Sequence, residues 1–117
     1  MKSQPFEANV RFQEHAVVID LIGEINAFAE PAMTAAYQQA DSQTSRAIIL
    51  NFNDVTYINS TGIALIVGLL ALARKSHRSL IVYGLSDHYT EIFKITRLSD
   101  FMSFYTDETS AIENVQV

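Results

Sequence analysis

Cysteine is absent from this chain of 117 residues, and proline and glycine are scarce, with 2 and 4 residues. The lack of cysteine excludes disulfides, thiolate metal sites and cysteine nucleophiles. The 4 glycines form no phosphate-cradling loop. Long hydrophobic runs are also missing, because the longest, residues 63–73, has about half of the roughly 20 residues that span a bilayer. We therefore expect no membrane insertion.

Basic residues are few as well, since 8 Lys and Arg face 13 Asp and Glu and give a net charge of -5. Surfaces that bind nucleic acid need clustered Lys and Arg, so we expect no nucleic-acid partner. The nearest basic cluster, residues 74–78, is typical of the cationic end of a helix. Residues 1–6 are polar and lack the apolar run of a secretory signal. These features favour a cytoplasmic protein.

Hydrophobic residues make up 49% of the chain, enough for one folded domain over residues 1–117. Apolar periodicity predicts strands that alternate with helices, and this order favours an α/β fold with a largely parallel sheet of 4–5 strands and about four helices. The predicted strands cover residues 10–12, 16–22, 46–52, 79–83 and 101–105, and the predicted helices cover residues 31–40, 60–76, 89–96 and 108–115.

The most informative segment is residues 53–75, in which a polar loop after a buried strand opens a long helix. Ser60 stands at the start of that helix, where a serine hydroxyl can accept hydrogen bonds from free backbone N–H groups. The local pattern therefore favours Ser60 as a simple N-cap. A stripe of small or polar residues begins beside it and recurs at helical spacing: Thr61, Ala64, Gly68, Ala71 and Lys75.

This stripe has two interpretations. It is either the face of the helix toward water or a docking face onto which another backbone packs closely. Gly68 favours docking, because a glycine inside a helix costs roughly 1 kcal/mol relative to alanine unless it has a use.

Other candidate sites are weaker. The three histidines, His15, His77 and His88, show no metal-ligand spacing, and Ser60 has no His and Asp partners placed for a catalytic triad. Phe28, Tyr57 and Tyr83 could suggest a ligand pocket, but aromatic residues at strand ends more often form the edge of the core. We expect no enzyme activity and no cofactor.

Residues 54–62, with the core Tyr-Ile-Asn-Ser-Thr-Gly, resemble the signature of bacterial anti-sigma factor antagonists of the STAS domain family. Residues 21–31, LIGEINAFAEP, are similar to the segment of that family between its second strand and first helix. Residues 93–98 and 104–112 are similar to its C-terminal part. The resemblance implies a STAS-type fold.

The resemblance also implies a switch. In that family, a serine at the position of Ser60 is phosphorylated by an anti-sigma factor that is itself a kinase with a histidine-kinase-like ATPase fold. The unphosphorylated antagonist binds this kinase and releases a sigma factor, the phosphorylated form lets go, and a phosphatase restores it. ATP would belong to the kinase. The implied partner-binding residues are Glu24, Asn26, Asn59, Thr61 and Gly62, which join Ala64, Gly68 and Ala71 of the stripe.

Asn26 and Asn59 depart from the family pattern, because many members have Asp at both positions. This leaves a second hypothesis, a STAS subunit of a signalling scaffold or lipid-transport complex that does not switch. A small α/β enzyme ranks third, since no candidate catalytic trio is present. Three further questions stay open: the pathway, whether Thr61 is also an acceptor, and whether the chain forms a weak homodimer.

Overall fold

A computed structural model describes residues 5–13, 15–41 and 47–115 of the chain. The strands are β1 (Glu7–Phe12), β2 (Ala16–Ile25), β3 (Ala47–Ile58), β4 (Ser79–Tyr83) and β5 (Ser103–Tyr105). The helices are α1 (Glu30–Asp41), α2 (Ser60–Lys75), α3 (Asp87–Ile95) and α4 (Glu108–Glu113), with short 3₁₀ helices at Ala27–Ala29 and Leu98–Asp100. Among the described helices, none has the length and apolar character to cross a membrane.

The five strands form one sheet in the order β1-β2-β3-β4-β5. β1 runs antiparallel to β2, and every other neighbouring pair is parallel. Each parallel connection passes through a helix to the next strand in the same direction. Because such crossovers are right-handed, α1, α2 and α3 all pack on one face of the sheet. The α/β class predicted from the sequence is confirmed.

The side chains of each strand alternate between two cores of unequal size. The larger core lies under α1, α2 and α3 and holds Ile19 and Leu21 of β2, Leu50 of β3 and Phe93 of α3. The smaller core lies on the opposite face, where α4 contributes Ala111. The second face therefore has much less apolar cover than the first.

Three strands are longer than the sequence predicted, and the first of them, β1, begins at Glu7 and not at residue 10. β2 was expected to end at residue 22 and β3 at residue 52, but parallel pairing continues to Glu24 with Tyr57 and to Ile25 with Ile58. The prediction of a polar loop after residue 52 was wrong, because the backbone stays paired with β2 while the polar side chains of residues 53, 54 and 56 are exposed. The first residue of the predicted strand, residue 46, lies outside the described residues.

Candidate functional site

Ser60 is the first residue of α2, immediately after the end of β3. The cap of this helix is Asn59, whose Oδ1 accepts a hydrogen bond of 2.8 Å from the backbone N–H of Gly62. The prediction that Ser60 itself caps the helix was therefore wrong. Asparagine caps a helix as well as serine does and here stands one residue earlier. The Ser60 side chain is exposed, and the described residues offer its hydroxyl no hydrogen bond.

The end of β2 lies against the Ser60 turn. The backbone N–H of Asn59 donates to the carbonyl oxygen of Ile25 at 3.2 Å. Gly62 is buried against the same residue, because a Cβ placed on it would lie 2.8 Å from the carbonyl carbon of Ile25 and 3.0 Å from Cγ2 of Ile58. Only glycine allows this approach. Gly62 thus shapes the turn from within, whereas Ser60 and Thr61 face outward.

The other side of the Ser60 turn is held by α3. The backbone N–H of Ile58 donates to the hydroxyl oxygen of Tyr89 at 2.9 Å. Sequence analysis missed this contact, since the residues are 31 positions apart and nothing local marks Tyr89 as a partner of β3.

Asn26 follows β2 and caps the 3₁₀ helix Ala27–Ala29, with its Oδ1 accepting from the N–H of Phe28 at 2.9 Å. Phe28 is 90% exposed, and Tyr57, beside Glu24 in the β2–β3 pair, is 53% exposed. The prediction that both aromatics form the core edge was wrong, because Phe28 lies in the 3₁₀ helix after β2 and Tyr57 alternates with the buried Ile58, so that it faces away from the main core. Tyr83 is buried in the smaller core, as predicted.

The outward face of α2 carries the stripe predicted from the sequence. Its members are all exposed: Thr61, Ala64, Gly68, Ala71 and Lys75. A Cβ added at Gly68 would meet nothing within 4 Å, so packing among the described residues does not require glycine there. Ala64 and Gly68 also line a groove of about 270 Å³ between α1 and α2, which Leu72 extends. The Ser60 region (Glu24, Asn26, Phe28, Asn59 and Ser60) lies at the N-terminal end of α2.

The sequence model of the STAS domain family matches residues 7–111. The chain belongs to the STAS domain family. One relative is the anti-sigma-B factor antagonist of Listeria monocytogenes, 30% identical over 96 residues that cover 82% of this chain and 83% of the relative.

Two solved structures share this STAS fold. One is an anti-sigma factor antagonist from Mycobacterium paratuberculosis, with a TM-score of 0.82 at 18% identity, covering 97% of this chain and 98% of that chain. The other is the Bacillus cell fate determinant SpoIIAA in its phosphorylated form, with a TM-score of 0.71 at 26% identity, covering 96% of this chain and all of the other, 100%.

The second face of this STAS domain carries a charged cluster that the sequence did not reveal, the Arg11 network (Arg11, Asp20, Asn51, Tyr83 and Glu108). Arg11 Nη2 donates to Asp20 at 3.0 Å and Nη1 to Glu108 at 3.2 Å. Asn51 donates to Asp20 at 2.8 Å, and the Tyr83 hydroxyl donates to Glu108 at 2.7 Å. The network ties β1, β2, β3 and β4 to the first residue of α4.

The pKa values of the Arg11 network follow from these bonds. Burial alone would raise the pKa of Asp20, but the hydrogen bonds from Arg11 and Asn51 and the charge of Arg11 together lower it. Hydrogen bonds from Arg11 and Tyr83 lower the pKa of Glu108. Burial, and then the bond to Glu108, raise the pKa of Tyr83. Arg11 therefore helps to keep both carboxyls ionised, and burial with the bond to Glu108 keeps the Tyr83 hydroxyl protonated.

The Ser60 region contains no such charge network. Its backbone groups are held by the neutral side chains of Asn26, Asn59 and Tyr89. Within the described residues, no group of three or more His, Asp or Glu could hold a metal ion. The arrangement presents an exposed serine side chain in the first turn of α2.

Proposed function

We propose that this chain is a cytoplasmic anti-sigma factor antagonist that phosphorylation of Ser60 switches off. In this proposal the unphosphorylated chain binds an anti-sigma factor kinase with a histidine-kinase-like ATPase fold and so releases a sigma factor. A phosphatase that acts on phospho-Ser60 restores binding. The observation that carries the proposal is the exposed Ser60 hydroxyl, which Asn59 relieves of the capping role. The relative named an anti-sigma-B factor antagonist and the phosphorylated SpoIIAA structure support it.

The position of Ser60 explains how a phosphate could end binding without unfolding the chain. A phosphate adds about -1.5 to -2 charges at neutral pH. The positive end of the α2 dipole and the free N–H groups of its first turn tolerate that anion. At a packed interface the same charge would have to be desolvated, which costs several kcal/mol. Since about 1.4 kcal/mol changes affinity tenfold, one phosphate suffices for release.

The proposed docking surface joins the Ser60 region to the outward face of α2. Phe28 contributes an exposed aromatic ring on a backbone that the Asn26 cap holds, and aromatic residues often dominate binding energy. Thr61, Ala64, Gly68 and Ala71 let a partner backbone approach closely along α2. Glu24 adds a carboxylate at the edge, and Gly62 supports the surface from below.

Intact-mass spectrometry of the protein from its native cells, with peptide mapping across residues 53–74, tests the switch. We expect a phosphate on Ser60 that disappears in Ser60→Ala and persists in Thr61→Ala, the matched control with an exposed neighbouring hydroxyl. The Ser60→Asp variant should no longer bind the kinase, whereas wild type and Ser60→Ala should still bind it. If Ser60 carries no phosphate during growth, stress and stationary phase, the non-switching subunit replaces this proposal.

Phe28→Ala tests the docking surface. Because Phe28 is 90% exposed, we expect the free energy of unfolding to change by less than about 0.5 kcal/mol. The affinity for the kinase should fall at least about tenfold, since an aromatic hot spot contributes roughly 2 kcal/mol or more. Phe12→Ala is the control, because Phe12 is also exposed but pairs with Val17 at the opposite end of β2. Equal affinities of the two variants, measured by calorimetry, would remove Phe28 from the surface.

A further inference from the structure

The last part of β3 lacks a strand on one side. β4 pairs with β3 from Ala47 to Asn51, and among the described strands only β2 flanks residues 52–58. Successive backbone groups of a strand point to opposite sides within the sheet. The N–H of Asn59 therefore reaches β2, through Ile25, while the N–H of Ile58 points to the open side.

Tyr89 takes the place of the missing strand. Its hydroxyl oxygen accepts the N–H of Ile58 at 2.9 Å, and Ile58 is buried, with 5% of its surface exposed. A buried N–H without a partner is strongly unfavourable, so this bond fixes the strand end. Asn59 and Ser60 follow at once, which places Ser60 two residues beyond the bond.

On the open side of this strand end, side-chain packing is incomplete. A cavity of about 110 Å³ lies beside the bond and is lined by Val55, Ile58, Leu85 and Tyr89. Since side chains do not fill this space, the hydrogen bond from Ile58 to Tyr89 is the contact that fixes the N–H of Ile58 on this side. A water molecule entering the cavity could satisfy the N–H of Ile58, but it would not hold it in one position.

Tyr89 itself is held firmly. Its backbone N–H donates to Oγ of Ser86, the cap of α3, at 3.3 Å, and its ring lies 4.8 Å from the ring of His88. The chain enters α3 through Gly84, which has φ +81° and approaches Asn53 so closely that a Cβ would lie 2.9 Å from the Asn53 backbone nitrogen. Only glycine suits both conditions. The connection thus brings α3 against the unpaired end of β3.

We infer that Tyr89 is a positioning residue for Ser60, acting through its hydrogen bond to Ile58. This rests on the proposed function, and it adds that α3 sets where the acceptor hydroxyl stands when the kinase is docked. The docking surface on α2 and Phe28 does not include Tyr89. Loss of the bond should therefore impair transfer of phosphate more than binding, because small errors of placement slow a reaction strongly.

Tyr89→Phe removes the hydroxyl and keeps the ring, so the fold is retained. Tyr105→Phe is the matched control, since Tyr105 is a half-buried tyrosine of β5 outside the Ser60 region. By amide hydrogen exchange we expect the N–H groups of Ile58 and Asn59 to exchange roughly tenfold faster or more in Tyr89→Phe, with Ile49 of central β3 unchanged. Unchanged exchange at Ile58 and Asn59 would overturn the inference.

The functional readout is the initial rate of Ser60 phosphorylation by the kinase that binds the wild-type chain, at saturating ATP. We expect Tyr89→Phe to lower kcat roughly tenfold and leave KM within about twofold, with Tyr105→Phe like wild type. An unchanged kcat, or a change in KM alone, would refute the positioning role. A wild-type chain that no kinase phosphorylates would instead refute the proposed function, while the exchange result would still decide whether Tyr89 holds the turn.

Discussion

The Arg11 network and the Ser60 region are both polar clusters on the same sheet, but charged side chains make the bonds in the first and neutral side chains make them in the second. In the network an arginine and two carboxylates bond one another across four strands and α4. In the Ser60 region neutral amides and a phenol hold backbone groups, and the serine hydroxyl faces outward. Charged side chains bond one another in the network, whereas only neutral side chains hold the backbone around Ser60.

The difference reflects how much apolar cover each region has. α2 buries three large apolar side chains and one alanine in the main core, namely Ile66, Leu69, Leu70 and Ala73. α4 is six residues long and buries only Ala111 among its residues. So short a helix is not stable alone, and the ionic and tyrosine bonds at Glu108 supplement its packing. The ionic network thus stabilises the face of the sheet that has less apolar cover.

The largest expected effect concerns the contact between β2 and α2 beside Ser60. Gly62→Ala should destabilise the chain by about 3 kcal/mol, because the added Cβ collides with the backbone of Ile25 and overpacking outweighs the gain in helix propensity. Gly68→Ala, in the same helix, has open space and should stabilise the chain by about 1 kcal/mol. Urea unfolding measures both. Equal midpoints would mean that the β2–α2 contact does not hold the Ser60 turn.

Next in size is Arg11→Met, for which we expect a loss of about 2 kcal/mol. The side chains of Arg11 and Asp20 are 39% and 21% exposed, so the effect should lie between those of surface and buried pairs. The control is Arg97→Met, because the Arg97 side chain is 79% exposed in its pair with Asp100 and should contribute less than about 0.5 kcal/mol. If the free energy of unfolding falls equally in the two variants, the Arg11 network stabilises the chain no more than an exposed ion pair does.

The contribution of the Arg11 network to the free energy of unfolding should change with pH by roughly 1 kcal/mol. The pKa values of Asp20 and Glu108 are lowered in the folded chain. Their contribution to the free energy of unfolding is therefore complete above the unfolded pKa values of about 4, and it is lost as the pH falls below that range. The pKa of Tyr83 is raised, so its contribution is present below about pH 10 and is lost as the pH rises.

Urea midpoints across this pH range are the measurement. Arg11→Met should flatten the acid limb and Tyr83→Phe the alkaline limb. Some acid dependence should remain in Arg11→Met, because the bonds to Ser110 also lower the pKa of Asp107. An acid limb as steep in Arg11→Met as in wild type would contradict the assignment.

The smallest effect is expected for Asn59→Asp, which places a negative charge next to Ser60. Aspartate caps a helix as well as asparagine, so the unphosphorylated chain should change by less than about 0.5 kcal/mol. Phosphorylated Asn59→Asp should lose up to about 1 kcal/mol, since two anions then share the first turn of α2. Unfolding of both forms of both chains tests this. If phosphorylation has the same effect on both chains, neutrality at this position does not matter for the switch.

Much of the fold could be predicted because it depends on local pattern. The order of elements, the helix after Pro31 and the long helix beginning at residue 60 are confirmed. The ends of β2 and β3 could not be predicted, because their pairing continues while their outward side chains turn polar. The capping role of Asn59 was missed for a related reason: both Asn59 and Ser60 can cap, and only the backbone geometry selects one.

The sequence by itself determined the α/β order, the resemblance to the STAS domain family and the identity of the serine to examine. These follow from periodicity and from a contiguous motif. Only the tertiary structure decided that the Ser60 side chain and Phe28 are exposed. It also decided that Tyr89 accepts a hydrogen bond from Ile58 and that the Arg11 network forms. Such contacts join residues far apart in the chain, and their distances are set by how strands and helices pack, which no local pattern encodes.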